Sequence, residues 1–243
     1  MQKDHENWYT SWFDTHYYHI LYKDRDYSEA GKFMDILTSF LKLPKNSEIL
    51  DLACGKGRHA QYLNKIGYQV TGVDLSPESI AYAKQFENSS LHFEEHDMRL
   101  PYPKKFDAVF NLFTSFGYFD EEEDNLRTIK SIKTELKLKG FGVIDFLNSE
   151  YLKNHIVRNE SKIIDGITFY IERYIDNDYI IKNIRFENNN QEHFYTERVR
   201  ALTISDFKSY FKEATIKLQH CFGDYQLNTF KEETSKRLIL IFN

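Results

Sequence analysis

The chain has 243 residues and a formal net charge of −5, from 32 Lys plus Arg against 37 Asp plus Glu. That length makes one large domain, or a domain with an insertion, and buries a sizeable core without disulfide staples. The acidic balance gives no electrostatic grip on a phosphate backbone and disfavours a nucleic-acid substrate; no run of about 18 apolar residues is available to span a membrane.

The first residues are polar and unlike a signal peptide, so a cytoplasmic protein is expected. Aromatics follow at Trp8, Tyr9, Trp12, Phe13, Tyr17, Tyr18 and Tyr22. Positions 9, 13 and 17 step by four, as on one helix face, which reads equally as a lid or as a helix packed on the sheet. Ser28 can cap a helix whose apolar stripe is Phe33, Ile36, Leu37, Phe40 and Leu41. An apolar strand (Ile49, Leu50, Leu52) then runs into a Gly55-x-Gly57 turn, and a helix continues to about Lys65, with Gly67 at its stop. A second strand spans 68–75 and carries Asp74. Ser76-Pro77-Glu78 opens another helix with a cap, a first-turn proline and an acid at the positive dipole end. A third strand, within 90–99, ends in Asp97-Met98, and a fourth, 106–112, opens into an aromatic loop. A helix over 121–136 passes through Lys139-Gly140 into a strand at 141–146. This alternation predicts an α/β fold, a doubly wound parallel sheet.

From 161 to 201 the pattern turns strand-like, with turns at 176–178 and 187–190. It reads as a three-stranded antiparallel meander inserted after the fifth core strand. It would serve as a wall of the substrate site or as a dimer interface; the wall is favoured, because such an insertion lies near the carboxyl ends of the strands. A helix over 206–213, capped by Ser205, and strands at 215–222 and 237–242 follow. The expected organisation is 1–150 for cap and cofactor-binding core, 151–203 for the inserted strands, and 204–243 for the elements completing the sheet. Cys54 and Cys221, both in predicted strand contexts, read as buried reduced thiols, and no Cys/His spacing suggests a metal site.

The turn after the first strand is built for a nucleotide-like ligand. Glycines at 55 and 57 let a ligand approach the main chain, and the next helix aims free N–H groups at it. The spacing Gly55-x-Gly57-x-x-Ala60 also fits a dinucleotide site, with Asp74 for a ribose. Yet Asp51, four residues before Gly55, would repel a pyrophosphate. S-adenosylmethionine (SAM) brings a sulfonium and an ammonium instead, for which Asp51 is an asset. Asp97 can accept from an adenine amino group while Met98 covers the ring.

With Leu50-Asp51-Leu52-Ala53-Cys54-Gly55-Lys56-Gly57, Val73-Asp74-Leu75-Ser76, His96-Asp97-Met98-Arg99 and Phe106-Asp107-Ala108-Val109, the chain resembles a class I SAM-dependent methyltransferase of the small-molecule type. The resemblance implies a Rossmann-like seven-stranded sheet. It implies a cofactor set of Tyr18, Tyr22, Asp51, Ala53, Gly55, Gly57, Asp74, Leu75, Asp97, Met98, Asn111 and Leu112. Acceptor-facing candidates are Phe113, Ser115, Phe116, Tyr118 and Asn148, with Thr114 beside them. Leu112-Phe113-Thr114 departs from the Pro-Pro-Tyr of methyltransferases acting on planar nitrogens, which argues against base or protein-amide methylation. His59 and His96 adjoin the cofactor motifs and read first as structural, so no catalytic residue is named. The expected activity is methyl transfer from SAM to a small-molecule O or N acceptor, by a monomer or homodimer; the alternatives are SAM binding without transfer, or an NAD-dependent oxidoreductase.

Overall fold

The computed structural model describes residues 12–23 and 27–243. The readings of Trp8, Tyr9 and the Ser28 side chain fall outside the described residues. Helix α1 (His16–Leu21) is capped by Thr15, whose hydroxyl accepts from the Tyr18 N–H. Helix α2 (Tyr27–Phe40) buries Ala30, Phe33, Met34, Leu37 and, just past its end, Leu41. The stripe is therefore rotated from the expected one. Phe40 is exposed on the rim, its ring edge-on to His220 and Phe222.

The core then alternates as expected: β1 (Glu48–Leu52), α3 (Arg58–Lys65), β2 (Gln69–Asp74), α4 (Pro77–Ala83), β3 (Leu91–Glu95), β4 (Phe106–Asn111), α5 (Glu122–Glu135) and β5 (Leu136–Leu147). After α6 (Ser149–His155) come four strands, β6 (Asn159–Ile164), β7 (Ile167–Asp176), β8 (Tyr179–Asn188) and β9 (Gln191–Arg200). Helix α7 (Ile204–Glu213) and strands β10 (Leu218–Phe222) and β11 (Arg237–Phe242) complete the chain. The seven-stranded sheet runs β10-β11-β5-β4-β1-β2-β3. β1 to β5 are parallel, and β11 is antiparallel to both β5 and β10. Apolar residues of α2, α3 and α4 fill one face and those of α5 and α7 the other. Among the described residues, no helix is long and apolar enough to cross a membrane.

Three sequence expectations need correction. Lys139-Gly140 does not break the fifth strand; β5 starts directly after α5, and Lys139 (φ 69°) forms an irregularity where the register against β4 shifts. The inserted sheet has four strands, not three, because the short polar run of β6 pairs with β7 across Asp165-Gly166. Both turn residues have positive φ, 50° and 78°, the geometry of a two-residue hairpin. The cap of α7 is Thr203 rather than Ser205: Thr203 and Asp206 form a reciprocal capping box, with the Thr203 N–H donating to Asp206 Oδ2 at 2.7 Å.

Gly57, the left-handed N-cap of α3 at φ 78°, is a packing glycine: a Cβ there would stand 2.5 Å from the Phe93 ring. Gly55 has φ 54°, and a Cβ there would meet no atom within 4 Å. Gly57→Ala should therefore cost about 2–4 kcal/mol of stability, from backbone strain plus overlap. Gly55→Ala should cost only about 1–2 kcal/mol, from strain alone. Urea unfolding of both variants tests this; equal losses would refute the packing role.

Candidate functional site

The carboxyl ends of β1 to β4 open on a cavity of about 450 Å³. It lies where β1 and β4 adjoin and the strand order reverses, the crevice in which open α/β sheets bind ligands. From the end of β1 come Asp51, Ala53 and Gly55. Ala53 and Gly55 both take left-handed backbone, φ 64° and 54°. Cys54 between them is buried; burial, with Asp51 and Asp74 nearby, pushes its thiol well above the usual range, so it stays protonated. Cys221 is half-buried in β10, and its thiol is pushed up to about 12 by burial.

Asp51 is almost wholly buried, and its Oδ2 accepts from the Ala60 N–H at 3.1 Å. Burial pushes its carboxyl up to about 7; the Ala60 N–H opposes the rise, and the Asp74 charge adds to it. Asp74, at the end of β2, accepts from the Gly55 N–H at 2.7 Å through Oδ2 and from the Ser76 N–H at 2.9 Å through Oδ1. Its carboxyl is also raised, by burial first. Asp97, after β3, behaves oppositely. Burial would raise it, but hydrogen bonds from Arg99 outweigh burial and hold it below the usual carboxylate range. Arg99 Nε reaches both Asp97 oxygens at 3.0 Å, Nη2 reaches Oδ2 at 2.6 Å, and Nη1 reaches Asp124 in α5 at 2.9 Å. Leu75 and Met98 line the same cavity.

The loop after β4 supplies Leu112, Phe113, Ser115 and Tyr118. Phe113 and Thr114 both adopt left-handed φ, 58° and 63°. Asp145 of β5, fully buried, fixes that geometry. It accepts the Phe113 N–H at 2.9 Å through Oδ2, and its backbone carbonyl accepts the Thr114 N–H at 2.9 Å. Arg237 of β11 donates to Asp145 Oδ1 at 2.7 Å and to the Thr114 hydroxyl at 3.0 Å. Phe113 is stacked between His59 and Tyr225, at centroid distances of 4.7 and 5.1 Å.

The third wall comes from outside the parallel core. Phe13, Tyr18, His19, Tyr22 and Lys23 of the N-terminal segment face the cavity, and so does Glu197 of β9. Trp12 Nε1 donates to Glu197 Oε1 at 2.8 Å and the Tyr22 hydroxyl donates to the same oxygen at 2.6 Å. Lys182 of β8 stands 3.4 Å from Glu197 Oε2 and donates to the Tyr22 hydroxyl. Burial, then the charge of Lys56, lowers His19 to about 4, so its ring is neutral.

One cavity thus gathers Tyr18, Tyr22, Asp51, Ala53, Gly55, Asp74, Leu75, Asp97, Met98, Leu112, Phe113, Ser115 and Tyr118. Four expected site residues do not line it. Gly57 caps α3 against Phe93. Asn111 is fully buried and donates to the Leu52 carbonyl at 3.0 Å, tying β4 to β1 beneath the site. Phe116 is core, its ring 5.4 Å from Phe207. Asn148 caps α6 and donates to the Glu232 and Ser235 carbonyls, both at 2.7 Å. Thr114 likewise turns away, to Arg237. His59 and His96 do line the cavity, with His96 Nε2 2.7 Å from the Leu100 carbonyl. Sequence reasoning gave no site role to Lys23, Lys56, Arg58, Ser79, Tyr82 or Glu197, all of which line the cavity. Lys56 lies within the glycine turn, and Arg58, Ser79 and Tyr82 lie in the helices that follow the motifs, a local signal that was available; Lys23 and Glu197 carry none.

Residues 49–140 match the model of a methyltransferase domain. The chain is 31% identical over 126 residues to the dTDP-3-amino-3,4,6-trideoxy-alpha-D-glucopyranose N,N-dimethyltransferase of Streptomyces venezuelae, covering 51% of this chain and 52% of that protein. It is 29% identical over 136 residues to a glycine/sarcosine N-methyltransferase of Aphanothece halophytica, covering 51% and 48%. The chain spans about half the length of these curated relatives. Among solved structures, an S-adenosylmethionine-dependent methyltransferase from Clostridium acetobutylicum ATCC 824 superimposes with a TM-score of 0.79 at 21% identity, over 93% of this chain and 95% of that one. The sugar N-methyltransferase KedS8 from Streptoalloteichus sp. ATCC 53650 gives 0.75 at 18%, over 93% and 91%. Residues 49–140 are thus a methyltransferase domain, and the chain has the fold of SAM-dependent methyltransferases.

Proposed function

We propose that the protein transfers a methyl group from SAM to a small-molecule acceptor, with nitrogen favoured over oxygen. The observation that carries this reading is the distribution of acids along one cavity: Asp51, Asp74 and Asp97 stand at the carboxyl ends of β1, β2 and β3 in turn, and aromatic residues line the same cavity. The donor set fits SAM. Asp51 would hold the cationic methionine end, and the open approach over Gly55 leaves room for it against the main chain. Each Asp74 oxygen already takes one backbone N–H, so the carboxylate is fixed in orientation and keeps a lone pair on each oxygen for a ribose hydroxyl. Asp97, held ionised by Arg99, would accept from the adenine amino group, with Met98 against the ring. A dinucleotide suits these residues poorly, since Asp51 would lie beside its pyrophosphate.

When bound, SAM supplies an electrophilic methyl on a sulfonium, so the chain mainly has to align a nucleophile, a contribution of about 7–11 kcal/mol in favourable cases. Phe13, Tyr18, Tyr22, Phe113 and Tyr118 form the wall against which an acceptor would be aligned. Aromatic faces suit an alkyl amine, by cation–π contact before it loses its proton. The likeness to enzymes named for amino-sugar and glycine nitrogen supports nitrogen.

Isothermal calorimetry should find micromolar binding of SAM and of its demethylated product S-adenosylhomocysteine (SAH), and none of NAD; NAD binding without SAM binding would overturn the reading. Asp74→Asn, which keeps the shape but removes the charge, should weaken SAH about 10- to 100-fold, the value of a charge-assisted hydrogen bond of about 1.5–3 kcal/mol; unchanged affinity would refute the ribose role.

Asp51 adds a pH signature. Its folded carboxyl keeps its proton up to about pH 7, whereas the unfolded one releases it near the ordinary 3.8. The folded state binds more protons in between, so this group's contribution to stability falls as pH rises from about 4 to about 7. Thermal melts of the ligand-free protein between pH 5 and 8 should show that fall, and Asp51→Asn should flatten it, though not wholly, because Asp74 is shifted the same way. A slope unaltered by Asp51→Asn would remove the buried Asp51 carboxyl from the account.

A further inference from the structure

We infer that Tyr22 and Glu197 form a proton-accepting relay at the acceptor end of the cavity, with Lys182 as its positioning residue. The inference rests on the methyl-transfer reading above and adds the base that reading lacks. An alkyl amine that arrives as an ammonium, or a hydroxyl, has no free lone pair of sufficient strength until a proton leaves. Asp51, Asp74 and Asp97 are committed to the far side, and His19 lies beside Lys56, a poor place for a second positive charge.

Tyr22 and Glu197 both line the cavity. Tyr22 donates to Glu197 Oε1 at 2.6 Å. Its oxygen also accepts from Lys182 Nζ, which stands 3.4 Å from Glu197 Oε2 and 4.4 Å from the centre of the Tyr22 ring. Lys182 and Glu197 side chains are only 13% and 16% exposed, so their charges act through little water. Trp12 Nε1, at 2.8 Å from Oε1, fixes the carboxylate in place. The ammonium favours a developing phenolate, and the carboxylate is already aligned to take the phenolic proton.

The proton balance is simple. The acceptor's N–H or O–H bond breaks, and its proton goes to the Tyr22 oxygen. The Tyr22 proton passes at the same time to Glu197 Oε1, forming a carboxylic acid. The electron pair of the broken bond stays on the acceptor as the nucleophilic lone pair. Glu197 then returns its proton to solvent. Tyr22 ends as it began, and the acceptor has lost one positive charge or gained one negative charge.

The test uses sinefungin, which carries an amine where SAM carries its methylsulfonium and so presents N–H protons toward the acceptor end. Calorimetry of the wild type should give sinefungin at least about tenfold tighter than SAH. In Glu197→Gln and in Tyr22→Phe that preference should fall to parity while SAH affinity changes less than about threefold. Thermal melts confirm that each variant is folded; should Glu197→Gln not fold, Tyr22→Phe, which keeps the ring, decides. A preference retained in a folded variant, or absent from the wild type, overturns the relay. An equal loss of SAH and sinefungin also overturns it and returns Tyr22 to the donor side. If the wild type binds neither compound, the methyl-transfer reading itself fails, which is a separate result.

Discussion

The buried pair of Asp145 and Arg237 is the interaction on which the aromatic loop of the cavity depends. Asp145 has no exposure, and its carboxylate and carbonyl together hold Phe113, Thr114, Tyr225 and Arg237. Two consecutive left-handed residues, neither of them glycine, cost free energy on their own. They persist because this geometry gives the Phe113 N–H to the buried Asp145 carboxylate and the Thr114 N–H to the Asp145 carbonyl. Removing Arg237 would leave a buried charge uncompensated, a loss of about 3–5 kcal/mol in comparable sites. The antiparallel direction of β11 serves the pair: running against β5, it sets its first residue, Arg237, beside Leu147 at the carboxyl end where the site is built.

A second constraint ties the N-terminal segment to the inserted sheet. Trp12 is almost fully buried, stacks 4.4 Å from Tyr195, and donates to Glu197. Leu21 packs with Ile167, Phe169, Ile171, Ile184 and Phe186 of that sheet. The two readings of the aromatic N-terminus, packing element and lid, therefore describe the same residues. One side of the segment covers the inserted sheet's apolar face, and the other, through Phe13, Tyr18 and Tyr22, faces the cavity. The wall reading of the insertion gains support from the same contacts, since Glu197 comes from β9.

How much was legible in the sequence follows the range of the interactions. Gly55-x-Gly57 after an apolar strand, Asp74 at the end of the next one and Ser76-Pro77 opening a helix are local signals, and local backbone chemistry realises each of them. Errors arose where a residue's role depends on distant partners. Asn111 and Asn148 resemble site residues by position, yet each spends its amide on carbonyls far away in the chain. Phe116 sits in an aromatic loop, but its ring turns into the core because the left-handed pair at 113–114 and Gly117 at φ 84° reverse the chain around it. Glu197 lies in a strand of mostly half-exposed residues, with nothing local to mark it; Tyr22, 175 positions away, and Trp12, 185 away, donate to it.

The same difference in range explains what the relatives share with this chain. The matched segment, 49–140, contains Asp51, Asp74, Asp97 and the loop through Tyr118, so it carries the three acids proposed to hold SAM and part of the aromatic wall. Phe13, Tyr18, Tyr22, Lys182 and Glu197 lie outside it, and they complete the end where an acceptor would stand. Chemistry common to many acceptors needs only the donor side, whose geometry comes from strand ends and one glycine turn. Discrimination among acceptors needs groups on the far wall, and those are drawn from a cap and an inserted sheet that can change without disturbing the parallel core. The acceptor of this protein therefore has to be read from the groups around Glu197 rather than carried over from the relatives' names.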